Sequence, residues 1–205
     1  MRVVPMVVLA VFGFKPAFSQ AVRLTPEIGI YVPTERLYAL ASGQTASTGF
    51  EIEAGPSFGA RLAVGLGSRF AIEIGGGYVP TTFSFGGGSA LTQRDVKLFL
   101  GTGQGVLYLL PPTGLLSLFA SGGVAVVSRG GLAFTNEAKN TSIGGVVGLG
   151  AGLRLGPLGV TIGADLLGYR ADYQGSQAVS QESTQRDVRL KLGFGIPFGG
   201  TGSGR

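Results

Sequence analysis

Thr184-Gln185-Arg186-Asp187-Val188-Arg189-Leu190-Lys191-Leu192-Gly193-Phe194-Gly195-Ile196-Pro197-Phe198 decides the fold. Val188, Leu190, Leu192, Phe194, Ile196 and Phe198 share one parity, and Gln185, Asp187, Arg189, Lys191, Gly193 and Gly195 share the other. Successive side chains of a strand point to opposite faces, so this stretch has one apolar face and one charged, glycine-rich face. It runs well past the roughly five or six residues usual in a soluble strand. A strand of that length, apolar outward and polar inward, suits the wall of a barrel in lipid.

Composition agrees. The chain has 205 residues, the size of one domain. It carries 38 glycines and no cysteine, tryptophan or histidine, with 44% hydrophobic and 13% charged residues. Soluble domains average about 25% charged residues, so this chain is built for lipid or for an unusually large buried fraction. After Phe18 no run approaches the roughly 20 apolar residues of a transmembrane helix.

The start reads as an export signal: Arg2, an apolar Val3 to Phe14, then Ala17-Phe18-Ser19 as a cleavage site. This predicts a signal peptide over 1–19 and a mature chain from Gln20; the alternative is an amphipathic or buried N-terminal element. Subtracting Arg2 and Lys15 from 16 basic residues leaves 14 against 11 acidic, a net of +3. That dispersed excess points to no nucleic-acid partner. Export permits disulfides, but without cysteine none can form.

Glycine and proline divide the remainder into eight strand-like segments, near 22–33, 48–66, 69–85, 91–110, 114–129, 141–155, 158–173 and 183–198. Their connections alternate. Gly67-Ser68, Pro111 to Thr113 and Gly156-Pro157 are tight, whereas Thr34 to Ser47, Gly86 to Ala90, Gly130 to Asn140 and Gln174 to Glu182 are longer and polar. This predicts an all-β, eight-stranded, antiparallel up-and-down transmembrane barrel over 20–198, with a Gly-rich tail over 199–205. The fifth segment is apolar on both faces, which leaves its register open.

The inward faces gather the charges. Glu27, Glu51, Glu53, Glu73, Asp95, Asp165 and Asp187 are the expected lumenal acids; Arg61, Lys97, Arg154, Arg189 and Lys191 are the bases. Buried charges must pair or sit in water. They read either as a binding or ion path, or as a structural network filling a barrel whose interior is just wide enough for its own side chains. Thr92-Gln93-Arg94-Asp95-Val96-Lys97-Leu98 recurs as Thr184-Gln185-Arg186-Asp187-Val188-Arg189-Leu190. The echo predicts that Asp95/Lys97 and Asp187/Arg189 face the lumen from opposite walls and join in one network.

Catalysis finds little support. Without histidine or cysteine there is no Ser-His triad, Cys-His pair or common zinc site, and Glu51 with Glu53 is explained by pairing with Arg61. No G-x-G-x-x-G or P-loop lysine motif occurs, and the glycines of 144–152 fall within a strand. No cofactor or metal is expected. Phe70, Tyr78, Phe83, Phe85, Tyr108, Phe194 and Phe198 are candidates for interfacial aromatics, and Phe99 and Phe119 for lumen filling.

Lys191-Leu192-Gly193-Phe194-Gly195-Ile196-Pro197-Phe198 resembles the terminal assembly signal of bacterial outer-membrane barrels, with Lys191, Gly193, Ile196 and Phe198 at its positions. Pro197 and the following Gly199 to Arg205 depart from the usual pattern. The whole mature chain resembles the small OmpA/OmpX-like barrels. The resemblance implies an outer-membrane location, contact with outer-membrane lipids and the barrel-assembly machinery, and a monomer. It leaves the job open between an envelope-structural or surface-contact role and a small ligand-binding barrel, either lumenal or a soluble lipocalin-like carrier. A soluble carrier needs its apolar face inside; here the glycines a narrow lumen needs share the polar face.

Overall fold

The computed structural model describes residues 22–34, 50–87, 90–130, 141–156, 158–174 and 180–198. The expected signal peptide and C-terminal tail lie outside them. Nine strands follow in order: β1 Val22–Pro33, β2 Phe50–Ile52, β3 Gly55–Gly65, β4 Phe70–Gly87, β5 Ala90–Leu110, β6 Leu116–Gly130, β7 Thr141–Leu155, β8 Leu158–Gln174 and β9 Ser180–Phe198. All pairings are antiparallel: β1 with β3, β2 and β3 with β4, each later strand with the next, and β1 with β9. β2 and β3 are two pieces of one wall strand. Both pair with β4, but Ile52 lies opposite Phe83 and Phe58 opposite Tyr78, one residue out of step. That bulge sits at Glu53-Ala54. Counted as one, they complete a closed barrel of eight strands.

Two tight turns use glycine where no other residue fits well: Gly67 has φ +115° and Gly156 φ +64°. These turns, the 111–115 connection, Val22 and Phe198 share one end of the barrel, the short-turn end.

The outer wall near that end is apolar. On β7 it runs Leu155, Leu153, Leu149, Val147 and Ile143; on β8 Leu158, Ile162 and Leu166; on β9 Ile196, Phe194, Leu192 and Leu190, all exposed. At a tilt of about 40° a strand residue adds about 2.5 Å of height. Leu155 to Ile143 therefore covers about 30 Å, close to the roughly 25 Å apolar band of membrane barrels. Exposed apolar side chains on this scale fit lipid and not water, which removes the soluble-carrier alternative.

Beyond the belt the strands continue. β5 has 21 residues and climbs about 50 Å, roughly twice the apolar band. From the upper belt onward the outer face turns polar and apolar side chains enter the lumen. Asp95, Lys97, Thr141, Arg170, Thr184 and Arg186 are exposed on the outside, while Val79, Val96, Leu98, Leu100, Val127, Val146 and Leu167 are buried in one cluster within. Among the described residues the outer wall thus passes from apolar in the short-turn half to polar beyond it, while the interior there mixes this apolar cluster with buried Arg129, Gln185 and Asp187.

The fifth segment, open in sequence, is resolved as β6. Phe119, Ala125, Val127 and Arg129 are buried, and Leu116, Leu118, Val124 and Val126 are exposed. Phe119 fills the lumen as expected, but Phe99 is exposed on the outer wall and Tyr108 is buried within. Phe70 and Phe194 lie on the outside. The side chains of Phe83, Phe85 and Phe198 lie outside the described set.

Candidate functional site

The lumenal charges form a packed column. Glu27, on β1, is its hub. Its register partners are Gly59 on β3 and Gly193 on β9, so no side chain blocks its reach to either side. Arg61 donates from Nε to Glu27 Oε1 at 2.5 Å and from NH1 to Glu73 Oε2 at 2.7 Å. Arg189 donates to Glu27 Oε2 at 3.0 Å. A Cβ at Gly59 would come within 3.0 Å of the Arg189 guanidinium, so the bare backbone is the shelf on which that group lies. Lys191 Nζ meets Asp165 Oδ2 at 2.5 Å.

Toward the long loops, Asp187 accepts hydrogen bonds from the Tyr31 and Tyr169 hydroxyls. Arg129 lies 5.0 Å over the Tyr169 ring and donates to Ser142 Oγ at 3.1 Å. The buried charged residues among those described are Glu27, Glu73, Asp165 and Asp187 against Arg61, Arg129, Arg189 and Lys191. Four acids meet four bases, so the column presents no net charge to attract an ion.

Of the residues singled out in the sequence, Arg61, Glu73, Asp165, Asp187, Arg189 and Lys191 are buried in the lumen. Asp95 and Lys97 are not: both are exposed on the outer wall, and Val96 points inward between them. The parity of β5 is set in the belt, where Gln104 is buried and Leu107 and Leu109 are exposed. Its pairing with β4 runs without a slip from Phe70↔Leu107 to Gly87↔Ala90. The repeat therefore sits on opposite faces in β5 and β9. Asp95 and Lys97 lie more than 30 Å above the short-turn end at about 2.5 Å per residue, beyond the belt, where outward charge meets water.

Asp187 and Arg189 both face the lumen, and each also reaches side chains of other strands. Cross-strand neighbours lie within about 5.5 Å. Asp187 is held by Tyr31 and Tyr169, and Arg189 by Glu27. Glu53 is exposed at the bulge, away from Arg61's two carboxylates. Glu51 pairs through its backbone with Ser84; its side chain lies outside the described set. Arg154 is exposed at the short-turn mouth. Sequence reasoning missed Tyr31 and Tyr169, though both share the parity of inward acids, Glu27 and Asp165. Arg129 gave no signal, because its strand is apolar on both faces.

Of the terminal-signal positions, Lys191 is lumenal, Gly193 faces Thr25 and Thr161, and Ile196 is on the lipid wall. A Cβ at Gly193 would come 2.6 Å from Thr25 Cγ2, so this glycine is needed for packing as well.

No family model matches the sequence, and no curated protein matches it. Solved structures do. The outer membrane protein AlkL, in lipid bilayers, is 14% identical over 95% of this chain and 98% of its own, with a TM-score of 0.62. Ail of Yersinia pestis is 12% identical over 88% of this chain and all of its own, at 0.49. The N-terminal barrel of Pseudomonas aeruginosa OprF is 12% identical over 87% and 98%, at 0.49. The AlkL likeness carries the fold, and the closed wall with its apolar belt agrees with it. This chain has the closed eight-stranded antiparallel fold of the small outer-membrane β-barrels.

Proposed function

We propose that this barrel is a non-catalytic, non-conducting membrane protein whose work is done by its outer surface, as an envelope-structural or surface-contact element. The observation that carries this reading is the filled lumen. A column of paired charges lies against an apolar layer of Val79, Leu98, Val127 and Leu167. An ion entering the lumen would have to shed its water and break the paired charges of the column. The wall continues above the belt with a polar outer face, which extends the surface offered to the aqueous side. The reading makes outer-membrane lipid and the barrel-assembly machinery the partners, the latter through Lys191, Gly193, Ile196 and Phe198, and the protein a monomer. Purified protein in planar bilayers should give no large, stable conductance. A steady open level would overturn the reading.

A further inference from the structure

Below the charge column the lumen opens toward the short-turn end into a cavity of ≈ 510 Å³. That is within the roughly 300–1,000 Å³ usual for small-molecule sites. We infer that this vestibule binds a small organic anion, a carboxylate or phosphate ester with a compact apolar body, entering from the aqueous side of the short-turn end.

Three observations support the inference. First, Arg23 and Arg154 line the cavity and no acid does, in contrast to the balanced column above it. Second, the two arginines are separated by a floor without side chains. Arg154 on β7 lies opposite Gly159 on β8, and Gly159 opposite Gly195 on β9. A Cβ at Gly195 would come 2.9 Å from Arg23 Cδ, so the Arg23 stem rests on that glycine. A Cβ at Gly159 would meet nothing within 4 Å, so the space between the arginines is hollow. Third, Arg154 is held in place. Its Nε donates to the Gly156 carbonyl at 3.3 Å and its NH1 to the Thr113 carbonyl at 3.2 Å. A guanidinium fixed before the ligand arrives spends less entropy on binding. Tyr108, Ser117 and Thr161 add hydroxyls to the lining, and Ala71 and Val160 add apolar surface. The inference is independent of the surface-contact reading, because the vestibule is a dead end beneath the column.

The test uses the full chain in phosphatidylcholine nanodiscs and compares benzoate with benzamide by ligand-observed NMR. The pair shares shape and differs in charge. The carboxylate should bind about tenfold more tightly, the scale of a charge-assisted hydrogen bond to arginine. Arg23→Gln and Arg154→Gln should each remove most of that preference. Gly159→Val should abolish binding by filling the hollow while leaving heat-modifiable gel mobility intact. Arg186→Gln, at the far end of β9, should change nothing. Equal binding of the two probes, no binding of either, or full benzoate binding by Gly159→Val would overturn the inference. Loss of benzoate binding on changing the lipid to phosphatidylglycerol would assign the site to a lipid headgroup and overturn the soluble ligand.

Discussion

Replacing Glu27 by alanine removes the hub of the lumenal column. Its side chain is 1% exposed and is the carboxylate that both Arg61 and Arg189 meet, at 2.5 and 3.0 Å. Arg61 keeps Glu73 at 2.7 Å; Arg189 is left buried against Tyr31 and the Gly59 and Gly77 backbone. Breaking a buried pair costs about 3–5 kcal/mol, and because one arginine is still paired the low end applies, about 3 kcal/mol. Adding Arg189→Ala removes the stranded charge, so the double variant should be more stable than the sum of the singles by about 1–3 kcal/mol. Urea unfolding in phospholipid vesicles, followed by circular dichroism, reads all three variants. A cost for Glu27→Ala below about 1 kcal/mol, the worth of a surface pair, would refute the reasoning. So would strict additivity, since both mean a lumen filled with water.

Asp187→Ala should cost about 1–3 kcal/mol by taking the acceptor from two buried tyrosine hydroxyls, whereas Asp95→Ala, on the outer wall, should stay within about 0.5 kcal/mol; the same unfolding assay separates them. Gly150→Ala places a Cβ 2.3 Å from Phe119 Cζ, while a Cβ at Gly168 meets nothing within 4 Å. The first should cost about 1–3 kcal/mol as an overpacked lumen and the second should be tolerated, as melting of the heat-modifiable band would report. Leu149→Arg, midway along the belt on β7, should cost about 2–4 kcal/mol of folding into vesicles.

The wall was readable from the sequence because the belt imposes period two: the apolar rows of β7, β8 and β9 and the glycines opposite them leave a single arrangement in which lipid meets lipid-compatible atoms. Glu73, Asp165 and Lys191 followed directly, each being a charge on the inward parity of a belt strand. The rule failed above the belt. There the outer face meets water, so charge no longer marks the inside, and Asp95 and Lys97 had the sequence of Asp187 and Arg189 with the opposite orientation. Parity at that height is inherited from Gln104 and Leu107, several residues below. Partner choice within the lumen was also hidden. It depends on which strands the closing register places side by side, as with Glu27 between Gly59 and Gly193.

The passage of the outer wall from apolar to polar is the central claim, and a chain without cysteine allows it to be measured cleanly. Single cysteines at Leu149, Ile162, Leu192, Lys97 and Arg170 would carry a nitroxide label in phospholipid vesicles, with collision rates compared for oxygen and for a water-soluble nickel complex. Leu149, Ile162 and Leu192 should favour oxygen, as in lipid, and Lys97 and Arg170 should favour nickel, as in water. Labels at Lys97 and Arg170 that behave like the one at Leu192 would contradict the account.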